Sequence, residues 1–183
     1  QGNKRRKIAK NEFVGFVDPF DKDAQYKHYE EVCLSSFDAA IICTPDNVKI
    51  ELIEYFLKNK KHVLVEKPLI SDSRNDLNEI HSIAVSNNVI CYTAYNHRFE
   101  PHFVNMKNLI DSQDLGKIYS LRMFYGNGTA KLVKGSPWRD NGKGVLPDLG
   151  SHLLDTLNYW LGNKKIKMKV LSFNNFENKS FDH

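Results

Sequence analysis

Apolar residues recur along this chain in two rhythms. Phe13-Val14-Gly15-Phe16-Val17 is a β-branched and aromatic run closed by Asp18-Pro19, and Ala39 to Cys43 is a continuous apolar run closed by Thr44-Pro45. Short runs bounded by turn signals read as strands, the second as one covered on both faces. His62 to Val65 and Val89 to Ala94 add two more of the same kind. Between them the spacing lengthens to that of a helix. Lys22 to Cys33 has a helical pattern. Val48 to Lys58 places Ile50, Ile53 and Leu57 on one side behind a cap at Asp46 or Asn47, and Asn75 to Ser86 turns Leu77, Ile80 and Ala84 inward. Four strands separated by helices predict an α/β fold with a doubly wound parallel sheet.

After Pro101 the texture changes. Phe103, Met106 and Leu109-Ile110 predict a connecting helix that stops at Gly116, and Lys117 to Tyr125 reads as a strand. A Gly/Asn/Lys-rich loop from Gly126 to Gly144 leads to an amphipathic helix over Ser151 to Leu161, ended by Gly162. Met168 to Phe173 is a further strand candidate. The expected division is residues 1–100 as the parallel-sheet domain and 101–183 as the connecting helix and the start of an α+β domain with an open sheet.

Composition narrows the class. Of 183 residues, 41% are hydrophobic and 26% charged, which is ordinary globular usage and argues against disorder. No apolar stretch approaches the ~20 residues of a membrane span, and the basic Lys4-Arg5-Arg6-Lys7 is not followed by the apolar region of a signal peptide. Cys33, Cys43 and Cys91 are odd in number and far apart. They support neither a disulfide framework nor a metal site, and the expected location is the cytoplasm. The net charge of +4 sits in short runs, Lys4 to Lys7, Lys58 to Lys61 and Lys164 to Lys169, which read as solvated surface rather than a nucleic-acid patch.

A doubly wound sheet normally opens with a strand and a glycine-rich turn into a helix whose amides hold a dinucleotide pyrophosphate. Here Gln1-Gly2-Asn3 leads directly into a basic helical stretch and then a strand ending in an acid. That order matches the segment beyond the last glycine of GxGxxG, so the expectation is a chain lacking its first strand, with Gly2, 16 residues before Asp18, as the third glycine; taken alone it is equally an ordinary turn glycine. Asp18 is then either the acid that accepts both ribose hydroxyls of NAD or a turn residue before Pro19. Arg5 and Arg6 leave NADP open.

Lys67, in Glu66-Lys67-Pro68, stands at the carboxyl end of a parallel strand, where ligands of such sheets bind. It is either a surface lysine or an ammonium that bonds a substrate hydroxyl and its developing alkoxide. In Asp148-Leu149-Gly150-Ser151-His152 an imidazole can take a proton as hydride leaves a carbinol carbon, with the carboxylate fixing its tautomer. The alternative is a capping Asp and a helix-surface His.

Taken together, several blocks resemble the glucose-fructose oxidoreductase and inositol dehydrogenase (Gfo/Idh/MocA) family. They are Asp38 to Pro45, Lys61 to Leu69, Tyr95-Asn96-His97-Arg98-Phe99, Trp138-Arg139 and Gly144 to Asp155. The resemblance implies a Rossmann domain followed by a substrate domain whose open sheet often forms oligomer contacts. It implies that Lys67, Asp148 and His152 match the family's catalytic group, with His152 as acid/base. It further implies that Thr44, Pro45, Glu66 and Asn96 line the nicotinamide side, and that Arg98 faces substrate.

The sequence departs from the family pattern at Lys49, often His there, at Lys60, at Lys143 and at Pro147, which bears on where the following helix begins. The expected reaction is NAD-dependent hydride transfer to or from a secondary alcohol of a sugar, cyclitol or nucleotide-sugar. Trp138 and Arg139 would stack on a ring and pair with an anionic group; otherwise Trp138 is a loop residue over the core. Two rivals are a family glycosidase that retains NAD for transient oxidation and a non-catalytic dinucleotide-binding regulator.

Overall fold

The computed structural model describes residues 1–71, 73–126, 146–162, 169 and 171. The chain divides into two compact units, Gln1–Ala94 and Tyr95–His183.

The first unit is built on three parallel strands, β1 (Ala39–Ile42), β2 (His62–Val65) and β3 (Cys91–Thr93), in the order β1-β2-β3. The register pairs Ile42 with Val65 and Val65 with Thr93, so all three strands finish level at one edge. Helix α1 (Gly2–Ala9) precedes them, α2 (Lys49–Lys58) joins β1 to β2, and α3 (Arg74–Ser86) joins β2 to β3. The apolar period shapes both crossover helices; α2 has no side-chain cap, Asp46 and Asn47 lying instead in a 3₁₀ turn (Asp46–Val48) ahead of it. The α2 face buries Ile53, Phe56 and Leu57, and α3 buries Ile80 and Ala84 behind a cap in which Ser73 Oγ accepts from the Asn75 amide. These side chains meet Ile42, Val63 and Val65 in one core. At roughly 1.5–3 kcal/mol for each large apolar side chain buried, this cluster is the main favourable term in the unit.

Three expectations need correction here. Phe13–Val17 forms no ladder: among the described residues it makes one isolated bridge, Val17 to Tyr26, because a strand exists only where neighbours take its amides and carbonyls. Lys22–Cys33 is a string of turns with one short 3₁₀ turn, Tyr29–Glu31. Side chains there satisfy the backbone locally: Glu31 Oε2 accepts from the Lys27 amide, and Asp21 Oδ1 from the Asp23 amide. The Tyr29 ring packs edge-on to Tyr55 and Phe56. Finally, the run Ala39–Cys43 is not covered on both faces. Ile42 is buried but Ile41 is 44% exposed on this outer strand.

The second unit contains α4 (Pro101–Asp111), with proline at its first turn, and α5 (Ser151–Leu161). A π-type turn, Leu146–Gly150, leads into α5, and Pro147 within it has no amide to lose. The chain leaves α5 at Gly162, whose φ of 75° is open to glycine without strain. The strand expected over Lys117–Tyr125 is not formed in its described residues. They lie largely exposed without a ladder partner, Phe124 being 92% exposed. The loop 127–145, with Trp138, Arg139, Lys143 and Gly144, and most of Met168–Phe173, lie outside the described residues.

Candidate active site

The level strand ends of the first unit present Cys43-Thr44, Glu66-Lys67 and Ala94 along one edge. In open α/β sheets this edge is where ligands bind. Val65 accepts from the Ala94 amide and Ile42 from the Glu66 amide, both at 2.8 Å, so the backbone is paired up to the position before Lys67. Lys67 itself is half-buried. The Glu66 carboxylate is buried and accepts from Arg5 Nε on α1 at 2.7 Å. Arg6 turns away to lie 4.9 Å over the Phe16 ring. The two arginines that left NADP open are thus engaged by a carboxylate and by aromatic rings.

Thr44 carries a buried Oγ1 that, among the described residues, has no hydrogen-bond partner. A buried hydroxyl left in that condition costs free energy unless a ligand or water completes it. Here it stands at the carboxyl end of a parallel strand, beside exposed Pro45. Gly2 opens α1 against the same strand end, where an added Cβ would come 3.8 Å from Cys43 Cβ, an ordinary contact. Burial first and the Glu66 charge second push the Cys43 thiol pKa up. Asp18 makes a side-chain turn: its Oδ1 accepts from the amides of Phe20 at 2.9 Å and Asp21 at 3.1 Å.

In the second unit His152, the second residue of α5, is 7% exposed. It lines a cavity of about 260 Å³ together with His97, Phe103, Arg122, Tyr125 and Trp160. Tyr95 and Tyr125 meet the His152 ring edge-on at 5.9 and 5.6 Å, and the His97 ring lies 4.6 Å away. His97 is itself held flat on Phe103 at 4.6 Å, with Nδ1 2.8 Å from Glu100 Oε1 and Nε2 3.3 Å from the Tyr125 hydroxyl. Burial raises the pKa of the Tyr95 hydroxyl. Asn96 is exposed and donates to the same Glu100 oxygen at 2.8 Å. Asp148 lies half-buried on the π-type turn, and its carbonyl accepts from Ser151 Oγ. Arg98 grips Asp155 on α5, with Nη2 2.6 Å from Oδ1.

Each unit therefore gathers its own share of the expected residues: Gly2, Thr44, Pro45, Glu66 and Lys67 at the strand ends, and Asn96, Arg98, Asp148 and His152 around α5. Two functional candidates escaped the sequence reading. Lys49 interrupts the apolar face of α2, a lysine where the helical period calls for a hydrophobe, and that interruption was its signal. His97 stands three residues before Glu100, a spacing at which side chains meet only if the segment is helical.

Two family models match this chain. One, described as an oxidoreductase family with an NAD-binding Rossmann fold, covers residues 5–95, and the other, the GFO/IDH/MocA C-terminal domain, covers residues 103–178. The chain belongs to the Gfo/Idh/MocA oxidoreductase family. It is 31% identical over 124 residues to an uncharacterized oxidoreductase of Schizosaccharomyces pombe, covering 66% of this chain and 33% of that protein. It is 28% identical over 166 residues to glucose-6-phosphate 3-dehydrogenase of Bacillus subtilis, covering 83% and 47%. Among solved structures it is similar to scyllo-inositol dehydrogenase from Lactobacillus casei with bound NAD(H) and scyllo-inositol. The TM-score is 0.58 at 25% identity, over 69% of this chain and 38% of that one. The chain spans about a third of the length of the S. pombe relative and about half that of the B. subtilis enzyme. Among the described residues no helix is long and apolar enough to cross a membrane, and no group of His, Cys, Asp and Glu could hold a metal ion.

Proposed function

We propose that the protein is an NAD-dependent oxidoreductase acting on a secondary alcohol of a sugar or cyclitol, and that this chain carries its catalytic groups. The observation that carries the reading is His152: a buried imidazole on the wall of an aromatic-lined cavity, in a chain of this family. The incomplete hydrogen bonding of Thr44 Oγ1 and the level strand ends fit a dinucleotide at the edge of the parallel sheet. The engagement of Arg5 by Glu66 and the presence of an acid at Asp18 favour NAD over a 2′-phosphorylated cofactor.

When bound, the nicotinamide ring supplies the hydride acceptor or donor. The chain's own residues handle the proton and the charge. The Lys67 ammonium donates to the reacting hydroxyl and stabilises the alkoxide that develops on it. The His152 imidazole takes the hydroxyl proton during oxidation and returns it during reduction. Asp148 orients that imidazole and compensates its positive charge. Trp138 and Arg139 contact the ring and an anionic substituent of the substrate, and the cavity's aromatic walls suit the apolar faces of a pyranose or cyclitol. The assembled protein is a homo-oligomer working in the cytoplasm.

The test is turnover of the intact protein with a panel of cyclitols and hexose phosphates, followed at the NADH absorbance band. Lys67→Ala and His152→Ala are each expected to lower kcat by roughly 10²–10⁴-fold while the protein stays folded. Full activity in either removes the role assigned to that residue. Glycoside cleavage without net NADH would move the reading to an enzyme that retains its cofactor.

A further inference from the structure

The charge of Lys49 is buried where none is expected. Lys49 opens α2 on the face that otherwise carries Ile53, Phe56 and Leu57, and it is 2% exposed. An ammonium held out of water is tolerated only when its protons are bonded and its charge is matched. Its three protons meet three acceptors: Asp46 Oδ1 at 2.7 Å, the Glu66 carbonyl at 2.8 Å and the Pro68 carbonyl at 2.8 Å. Asp46 supplies the counter-charge. The other two acceptors are the backbone carbonyls on either side of Lys67.

Stability alone gives a poor account of this arrangement, since a well-packed apolar side chain in place of a buried charge set is often neutral or stabilising. What an apolar residue cannot do is tie two backbone carbonyls to one point. Lys49 makes two of the bonds that hold the segment around Lys67. The Glu66 amide bonds Ile42, the Glu66 carboxylate bonds Arg5, and the carbonyls of Glu66 and Pro68 bond Lys49. These bonds set the position and direction from which the Lys67 side chain departs.

We propose that Lys49 is a positioning residue for Lys67, clamping the Glu66–Pro68 turn so that the Lys67 ammonium reaches the reacting hydroxyl in one geometry. The proposal rests on the reading of Lys67 given above. Misplacement by about an ångström is enough to cost about a hundredfold in rate.

In the intact protein, Lys49→Met and Lys67→Ala are compared by steady-state kinetics at saturating cofactor. Backbone hydrogen exchange is followed in peptides covering residues 65–69. Lys49→Met is expected to lower kcat by about 10- to 100-fold, with the alcohol KM and the cofactor Kd within about threefold of the parent. Exchange should speed up over 65–69 and stay unchanged in β1 and β3. A kcat within about twofold of the parent overturns the proposal, as does unchanged exchange over 65–69. So does a loss of kcat that merely tracks the folded fraction, with exchange faster throughout. Full activity in Lys67→Ala removes the role of Lys67 itself, a failure visible without any Lys49 variant. Should Lys49→Met not fold, Lys49→Arg carries the test. Its planar fork keeps the charge but cannot place donors on the same three acceptors, so kcat should fall at least about threefold with faster exchange over 65–69. Parent-like kcat and exchange in that variant overturn the proposal.

Discussion

Arg98 holds Asp155 with two of its nitrogens: Nε lies 3.0 and 2.9 Å from the two carboxylate oxygens and Nη2 lies 2.6 Å from Oδ1. The pair links the 3₁₀ turn Asn96–Phe99 to α5, the helix that carries His152. Asp155 is the more buried partner, its side chain only 8% exposed. Removing the guanidinium therefore strands a carboxylate away from water. Arg98→Ala should lower stability by about 3 kcal/mol, measured by denaturant unfolding. A double-mutant cycle with Asp155→Ala should return a coupling of about 1–3 kcal/mol. If Arg98 instead serves the substrate directly, its replacement will raise the substrate KM with stability intact.

Asp18 has a structural use and a proposed chemical one, and the two separate cleanly. Asp18→Asn keeps a carbonyl oxygen for the amides of Phe20 and Asp21 and removes the charge. The melting temperature should stay unchanged while NAD binding weakens about tenfold and the preference over NADP narrows, both readable by calorimetry. Unaltered NAD affinity in a folded variant would leave Asp18 as a turn residue.

Local signals made regular elements in each unit legible. Ala39–Ile42 and His62–Val65 are strands where short apolar runs end in turn residues, and α5 starts at Ser151 and ends before Gly162 as its period and its glycine dictate. Apart from Lys22–Cys33, where local side-chain bonds to the backbone stand in place of the expected helix, what failed was structure that depends on a distant partner. Phe13–Val17 and Lys117–Tyr125 have strand-like composition, but composition cannot supply the neighbour a ladder needs. The same division runs through the site. Lys67 and His152 sit in short, recognisable blocks, whereas the use of Lys49 depends on carbonyls 17 and 19 residues away. His97 takes its place from a tyrosine 28 residues on.

The Arg5–Glu66 pair ties α1 to the end of β2, with Glu66 the more deeply buried member. Its two halves should not be equivalent. Arg5→Ala leaves a buried carboxylate without its cation, while Glu66→Gln leaves a neutral amide that still accepts from a partly exposed arginine. Arg5→Ala is therefore expected to lower the melting temperature more than Glu66→Gln. The reverse order in thermal unfolding would mean that solvent, not Arg5, compensates Glu66.

The three cysteines should separate by reactivity, because their surroundings push the thiols in opposite directions. Cys33 is exposed, with Sγ 3.1 Å from Ser35 Oγ, and hydrogen bonds from the Ser35 hydroxyl and amide lower its pKa. Burial raises that of Cys91, and burial with the nearby Glu66 charge raises that of Cys43. Only the thiolate attacks an alkylating reagent, so each labelling rate rises with pH through that residue's own pKa. Cys33 should reach half its maximal rate at a lower pH than an ordinary thiol, and the other two at a higher one. Near neutral pH, iodoacetamide with peptide mapping should find Cys33 modified first. Ser35→Ala should move its midpoint upward, because the hydroxyl is the largest stabiliser of the thiolate. Labelling of Cys43 as fast as Cys33 would mean that the carboxyl end of β1, next to Thr44, opens to solvent on the time scale of the reaction.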